Sequence, residues 1–317
     1  MGNNQEEIIV SIQCMVYNHE PYLRQCLDGF VMQKTNFKFE AVVHDDASTD
    51  GSADIIREYA EKYPEIIKPI YETENQYSKK DGSLEMIMFS ACRGKYIAFC
   101  EGDDYWIEPD KLQIQVEYMT RCDDIGLCYT KTNYWHEENQ RFLYEWGGPS
   151  TSFMDLLKVN TIPTLTVLCR SEFYPQYIKE ISPFSKSWLM GDYPMWLWLS
   201  HRYKVCFIDK VTSVYRVLNE SASHSTNVEK KLGFILSCID IQEFFSNQYN
   251  MKSGLDYAKL RIQTKMYNYA LYGKWQSFVA NWKVLIKFSI SNIFCLFPFK
   301  YMLFFIFPKL RRKYLIH

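Results

Sequence analysis

Three apolar runs of strand length each break off at polar or acidic residues, and segments with helical spacing separate them. Ile8–Val16 gives way to Tyr17-Asn18-His19-Glu20-Pro21, Phe39–His44 to Asp45-Asp46, and Tyr96–Cys100 to Glu101-Gly102-Asp103-Asp104. After the first run, Tyr22, Leu23, Cys26, Leu27 and Phe30 fall at helical intervals; after the second, Ile55, Ile56, Tyr59, Ala60 and Tyr63 do so. Ile66–Tyr71 reads as a further strand and Ser83–Ala91 as a further helix. Strands alternating with helices predict an α/β fold whose parallel sheet carries helices on both faces. In such sheets ligands bind beyond the carboxyl ends of the strands. Tyr17, Asp46 and Asp103-Asp104 all lie at those ends.

Two acids at the end of a buried strand are costly without a positive partner. A divalent cation carrying a diphosphate answers that need, since Mg²⁺ takes one or two carboxylates plus substrate oxygens. An acidic turn after a strand is the plainer reading of the same residues. Neither G-x-G-x-x-G nor a Walker pattern occurs, so a diphosphate here is expected to be held by metal rather than by a loop of backbone amides.

A net charge of −1 excludes the broad electrostatic attraction that nucleic-acid binding requires. The ten cysteines form no C-x-x-C pair, which fits a reduced, cytoplasmic chain. Residues 1–7 are polar and acidic, unlike a secretory signal. Aromatic residues reach 17%, a proportion that serves a packed core, a membrane interface or surfaces that stack on sugars.

Taken together, Ser11-Ile12-x-Cys14-x-Val16-Tyr17-Asn18, Val42-Val43-His44-Asp45-Asp46-Ala47-Ser48-Thr49-Asp50-Gly51-Ser52 and Gly94-Lys95-Tyr96-Ile97-Ala98-Phe99-Cys100-Glu101-Gly102-Asp103-Asp104-Tyr105-Trp106 resemble family 2 glycosyltransferases over about residues 8–225. The resemblance implies the GT-A fold, a Rossmann-like, mainly parallel sheet flanked by helices. It also implies an inverting hexosyl transfer from a nucleotide sugar, typically a UDP-sugar, with Mg²⁺ or Mn²⁺. Met15 and Tyr17 match positions beside the nucleotide base, and Asp46 the carboxylate that reads its edge, with Asp45 bracing the loop. Asp103 matches the ribose and diphosphate contact, and Asp104 the metal ligand of the D-x-D-type motif. Here Glu101 replaces that motif's first acid, leaving open whether it touches the metal.

The segment Ser187–Trp196, with one carboxylate, resembles the one that carries the family's catalytic base, which makes Asp192 the candidate base. An acceptor hydroxyl is a poor nucleophile until its proton is taken. An Asp just before Tyr193-Pro194 is equally at home as a helix cap, and the residues alone leave both readings open. Val214–Ser225 matches the family's segment after the base, but Leu218 stands where many members have His. His224 is then the candidate for the metal or diphosphate, against a plain surface-loop role, and Arg216 and Lys79 or Lys80 are candidate phosphate partners. Thr161–Thr164, Trp135, Trp146 and Trp188 are candidates to line an acceptor groove.

The expected organisation is a catalytic domain over 1–225, divided into a nucleotide-sugar half (about 8–106) and an acceptor half (107–225). A helical extension follows over 226–287, then an apolar and basic tail over 288–317. In that tail the longest uncharged run, Phe288–Phe299, is shorter than the about 20 residues a crossing helix needs. Lys309, Arg311, Arg312 and Lys313 follow it, which suits an interfacial anchor on the cytoplasmic face of an inner membrane. A buried pair of C-terminal helices is the other reading. The expected acceptor is a glycan or lipid-linked glycan in cell-surface polysaccharide synthesis. Two other classes share the pattern: a nucleotide-sugar-binding module without turnover, and a sugar nucleotidyltransferase. The latter would release pyrophosphate, and it usually opens with a Gly-rich basic loop that Tyr17–Pro21 lacks.

Overall fold

The computed structural model describes residues 7–218 and 228–251. The chain divides into two compact units, Met1–Asn219 and Glu220–His317. In the first unit the elements run β1 (Ile8–Val16), α1 (Glu20–Val31), β2 (Lys38–Asp45), α2 (Ser52–Lys62), β3 (Ile67–Tyr71), α3 (Ser83–Ala91), β4 (Tyr96–Phe99) and β5 (Tyr105–Trp106). They continue as α4 (Lys111–Thr120), β6 (Ile125–His136), β7 (Arg141–Trp146), α5 (Phe153–Lys158), β8 (Leu168–Arg170), α6 (Phe173–Ile181), α7 (Asp192–Arg202) and β9 (Lys204–Val217). In the second unit, α8 (Val228–Gln248) is the described element. No helix among the described residues is long and apolar enough to cross a membrane. His224 and the tail over 288–317 lie outside the described residues.

One sheet organises the first unit, in the order β3-β2-β1-β4-β8-β6-β9-β5, with β7 paired to β6. β1, β2, β3 and β4 are mutually parallel, as the alternating pattern predicts. β8 reverses the direction, pairing antiparallel with both β4 and β6, while β6 and β9 run parallel. The fold is therefore the mixed, mainly parallel α/β arrangement expected.

Each strand of the parallel half sends alternate side chains to opposite faces. Val10, Ile12, Cys14 and Val16 of β1 meet Leu23, Cys26 and Phe30 of α1 in the main core. The intervening Met15 turns to the other face and packs with Val42, Leu84 and Met88 under α3. Trp106 closes the main core beneath the acidic turn, its ring edge-on to Phe30 at 5.1 Å and its Nε1 donating to the Leu165 carbonyl at 2.9 Å. Below it lies Lys111, fully buried, with Nζ 4.1 Å from the Trp106 ring centre and donating to Gln115 Oε1 at 2.6 Å. Burial pushes the Lys111 pKa down to about 7.

Candidate active site

Two loops lock to each other at the carboxyl ends of β1 and β2. Asn18, at φ 56°, donates its backbone N–H to Ser48 Oγ at 3.0 Å, and its Oδ1 accepts from the Thr49 N–H at 2.8 Å. His19 and Glu20 donate their N–H groups to Ser52 Oγ and Asp50 Oδ2, and Glu20 Oε2 accepts from the Gly51 N–H. The Asn-His-Glu and Asp-Ala-Ser-Thr-Asp-Gly-Ser motifs are thus two halves of one clasp. It holds Tyr17 at the rim with its side chain largely exposed.

The adjacent acids of β2 divide their work differently from expectation. Asp46, not Asp45, braces the following loop: its Oδ1 accepts from the Gln76 N–H at 2.6 Å and its Oδ2 from the Tyr77 N–H at 3.0 Å. Asp45 keeps a buried Oδ1 without a partner. Asp46 is itself buried, so it acts on the rim through the loop bearing Tyr77, whose ring is 60% exposed.

The acidic turn rides on β1. Cys100 and Gly102 donate their N–H groups to the carbonyls of Gln13 and Met15, both at 3.0 Å, continuing the β1–β4 pairing beyond the strand. A Cβ at Gly102 would stand 2.8 Å from His19 Nδ1 and 3.0 Å from Val16 Cγ2, so the close approach requires glycine. Asp104 is buried, and its Oδ1 accepts from the Arg216 N–H of β9 at 2.7 Å. Burial and the neighbouring Asp103 charge push its pKa well up, against that hydrogen bond. Loss of hydration around its carboxyl raises the Glu101 pKa to about 8, with the charges of Asp103 and Asp192 adding to the shift. Asp103 Oδ1 is buried without a partner. Burial lowers the His19 pKa, opposed by the charges of Asp103 and Asp50.

Asp192 approaches this group from α7, a part of the chain remote from the acidic turn in sequence. It opens α7, whose residues Tyr193–Leu199 are all buried, and Trp196 packs edge-on against Phe99 at the end of β4. Its Oδ1 accepts from the Tyr193 N–H at 2.7 Å, and its Oδ2 accepts from the Thr164 hydroxyl. Thr164 belongs to a 3₁₀ turn, Thr164–Thr166, that leads into β8. Helix N-termini favour negative charge, so a carboxylate is well placed at Asp192. The structure thus brings both Asp103 and Asp192 within electrostatic reach of Glu101.

Arg216 does not face this group. Its guanidinium pairs with Glu137 at 2.9 Å and with Gln25, lying between the rings of Tyr105 and Tyr22. The expected phosphate contact is corrected accordingly: Arg216 serves through its backbone N–H, which fixes Asp104. Lys79 is likewise turned to Gln76 and Glu74. Residues without a sequence signal for function also border the site. Tyr174 and Tyr177 of α6 bury unpartnered hydroxyls, and the Tyr177 pKa is driven up by burial, with smaller contributions from Tyr174, Asp192 and Glu85. Their helical spacing marks a core face, not a site.

No group of three or more His, Cys, Asp or Glu side chains among the described residues is preassembled around a cation. The acidic turn nevertheless suits a cation delivered with a diphosphate. Asp103 presents a buried oxygen with no donor, and burial together with like charges already pushes Glu101 and Asp104 up. Two carboxylates completed by substrate oxygens are an ordinary Mg²⁺ set.

A family model described as Glycosyl transferase family 2 matches residues 11–172. An uncharacterized protein of Mycobacterium tuberculosis is 40% identical over 150 residues, 46% of this chain and 39% of that protein, so the chain spans about two fifths of that relative's length. The putative teichuronic acid biosynthesis glycosyltransferase TuaG of Bacillus subtilis is 25% identical over 265 residues, 81% of this chain and 98% of TuaG. Among solved structures, S. aureus TarS in complex with UDP-GlcNAc shares the fold, with a TM-score of 0.59 at 15% identity over 88% of this chain and 81% of that one.

Proposed function

This chain belongs to glycosyl transferase family 2, and from that premise we propose that it transfers a hexose from a nucleotide sugar to a hydroxyl of a glycan acceptor, inverting the anomeric centre. The observation that carries the reading is the packing of α7, which Asp192 opens, against the end of β4 through Trp196 and Phe99, with Asp192 within electrostatic reach of Glu101 in the acidic turn. Tyr17 and Met15 flank the base, and Asp46 positions the loop of Tyr77 around it. Asp103 faces the ribose and diphosphate. A divalent cation, Mg²⁺ or Mn²⁺, held with the donor by Asp104 and its neighbour, would neutralise the diphosphate as it leaves. Asp192, oriented by Thr164, takes the acceptor proton as the hydroxyl attacks from the face opposite the leaving group. The reaction is one displacement without a covalent enzyme intermediate.

A UDP-sugar donor is supported by the UDP-GlcNAc complex of TarS, and a polysaccharide setting by the teichuronic acid role in the name of TuaG. The basic residues Lys309, Arg311, Arg312 and Lys313 beside an apolar stretch support a place on the cytoplasmic face of a membrane, next to a lipid-linked acceptor.

The test is a screen of UDP-, GDP- and dTDP-sugars with Mg²⁺ or Mn²⁺, using membrane extract as acceptor, for the native chain and Asp192→Asn. Nucleoside diphosphate release should require metal and fall about 100-fold or more in the variant while UDP binding persists. Normal turnover by the variant would reduce Asp192 to a helix-end carboxylate. Donor binding with no transfer would identify a binding module, and pyrophosphate release a nucleotidyltransferase.

A further inference from the structure

The hairpin β6–β7 carries aromatic rings that nothing in the donor chemistry uses. Strand register places Tyr215 of β9, Tyr134 of β6 and Tyr144 of β7 side by side across three strands. Their rings are in continuous contact: Tyr215 to Tyr134 at 4.7 Å, then Tyr134 to Tyr144 at 4.8 Å with only 20° between the planes. Trp146 follows Tyr144 by two residues, so it lies on the same face. At the outer end the series opens to solvent, with Tyr144 53% and Trp146 38% exposed. At the inner end it is tied to the acidic turn. Asp104 accepts the backbone N–H of Arg216, the residue after Tyr215.

Such rings are costly on a surface unless a partner covers them. Arg141, opposite His136, borders the rings on this face, whereas Glu145, opposite Asn133, points to the other. Flat aromatic faces with a polar margin, running from solvent to the acidic turn that an acceptor must reach, match a sugar chain, whose rings present C–H faces bordered by hydroxyls. We propose that Tyr215, Tyr134, Tyr144 and Trp146 form a track for the acceptor, on which successive sugar residues of a glycan stack as it leads into the acidic turn. This inference rests on the transferase reading and extends it, because it assigns recognition of an extended carbohydrate to β6, β7 and β9.

The test uses the full chain as native protein, Tyr144→Ala, Trp146→Ala and Tyr144→Phe. Each is applied to an array of bacterial surface glycans, and the best-retained soluble oligosaccharide is titrated by calorimetry. UDP binding is measured on the same samples. Each alanine change should weaken glycan binding about three- to tenfold, with Tyr144→Phe restoring it, since the ring and not the hydroxyl stacks. The track is refuted if the native chain binds UDP but retains no glycan, or if both alanine variants bind glycan as the native chain does. It is also refuted if glycan binding is lost only together with a dimer in sedimentation velocity, which would make the face a contact between two copies. A native chain that binds no UDP and releases none from a UDP-sugar overturns the transferase reading itself.

Discussion

Replacing Lys111 by Met should stabilise the protein near neutral pH, by an amount that shrinks as the pH rises. Lys111 is wholly buried without a carboxylate partner, and its pKa falls from 10.5 in an exposed lysine to about 7. Below pH 7 both folded and unfolded chains hold the proton, and the full cost of burying the charge is present. Between about 7 and 10.5 the unfolded chain alone holds it, so native stability climbs by ~1.4 kcal/mol per pH unit. Above that range the cost is gone. At pH 7 the lysine therefore costs about 4 kcal/mol relative to a neutral side chain, and at pH 9 about 2 kcal/mol. Methionine fits the same unbranched space but forfeits the hydrogen bond to Gln115 and the contact with Trp106. Those losses come to about 2 kcal/mol. The net expectation is a gain of about 2 kcal/mol at pH 7 that falls to about zero at pH 9. Urea unfolding of both proteins at pH 7, 8 and 9 measures it, and groups titrating in both cancel in the difference. A difference that does not change with pH, or a Met variant less stable at pH 7, would refute the reasoning.

Two shorter predictions follow from the same geometry. Thr164→Val removes the hydroxyl that orients Asp192 and should lower kcat about tenfold with little change in donor KM, while Thr164→Ser restores the rate; steady-state kinetics decides. Gly94→Ala would set a Cβ 2.4 Å from the Ser11 nitrogen and 2.7 Å from the Val10 carbonyl carbon, both backbone atoms that cannot yield. It should cost about 2–3 kcal/mol, read as a lower urea midpoint with an unchanged m-value.

The parallel half of the fold was legible because each element is written locally. The apolar run of β1, the helical spacing of α1 and α2, and α3 at Ser83–Ala91 follow from period and length alone. What escaped depends on partners remote in the chain. β8 is short, with a 3₁₀ turn at Thr164–Thr166 before it, and Leu168–Arg170 pair against β4 and β6, neighbours that the segment itself does not specify. That Asp46 rather than Asp45 braces the loop is not legible locally, because composition places two acids at a strand end without saying which one meets the amides of Gln76 and Tyr77. Arg216 looks available to a phosphate in the sequence because Glu137, its ion-pair partner, lies in the turn after β6, far from it along the chain. Motif resemblance makes Asp192 a candidate, whereas its contact with Thr164 is visible only in the fold.

The reversal of chain direction at β8 has a consequence for how such a protein diversifies. Because β8 runs antiparallel to β4, its leading turn arrives at the same rim where β4 ends, and Thr164 comes to serve Asp192 there. Everything between Trp106 and Thr164 is a loop in the topological sense, leaving the rim and returning to it. Within that excursion β7, which stands off the main strand order and pairs with β6, can lengthen, shorten or change character while both anchor points stay fixed. On the proposed reading, the donor contacts and the outermost rings of the acceptor track, on β7, thereby lie on separately editable stretches of one chain.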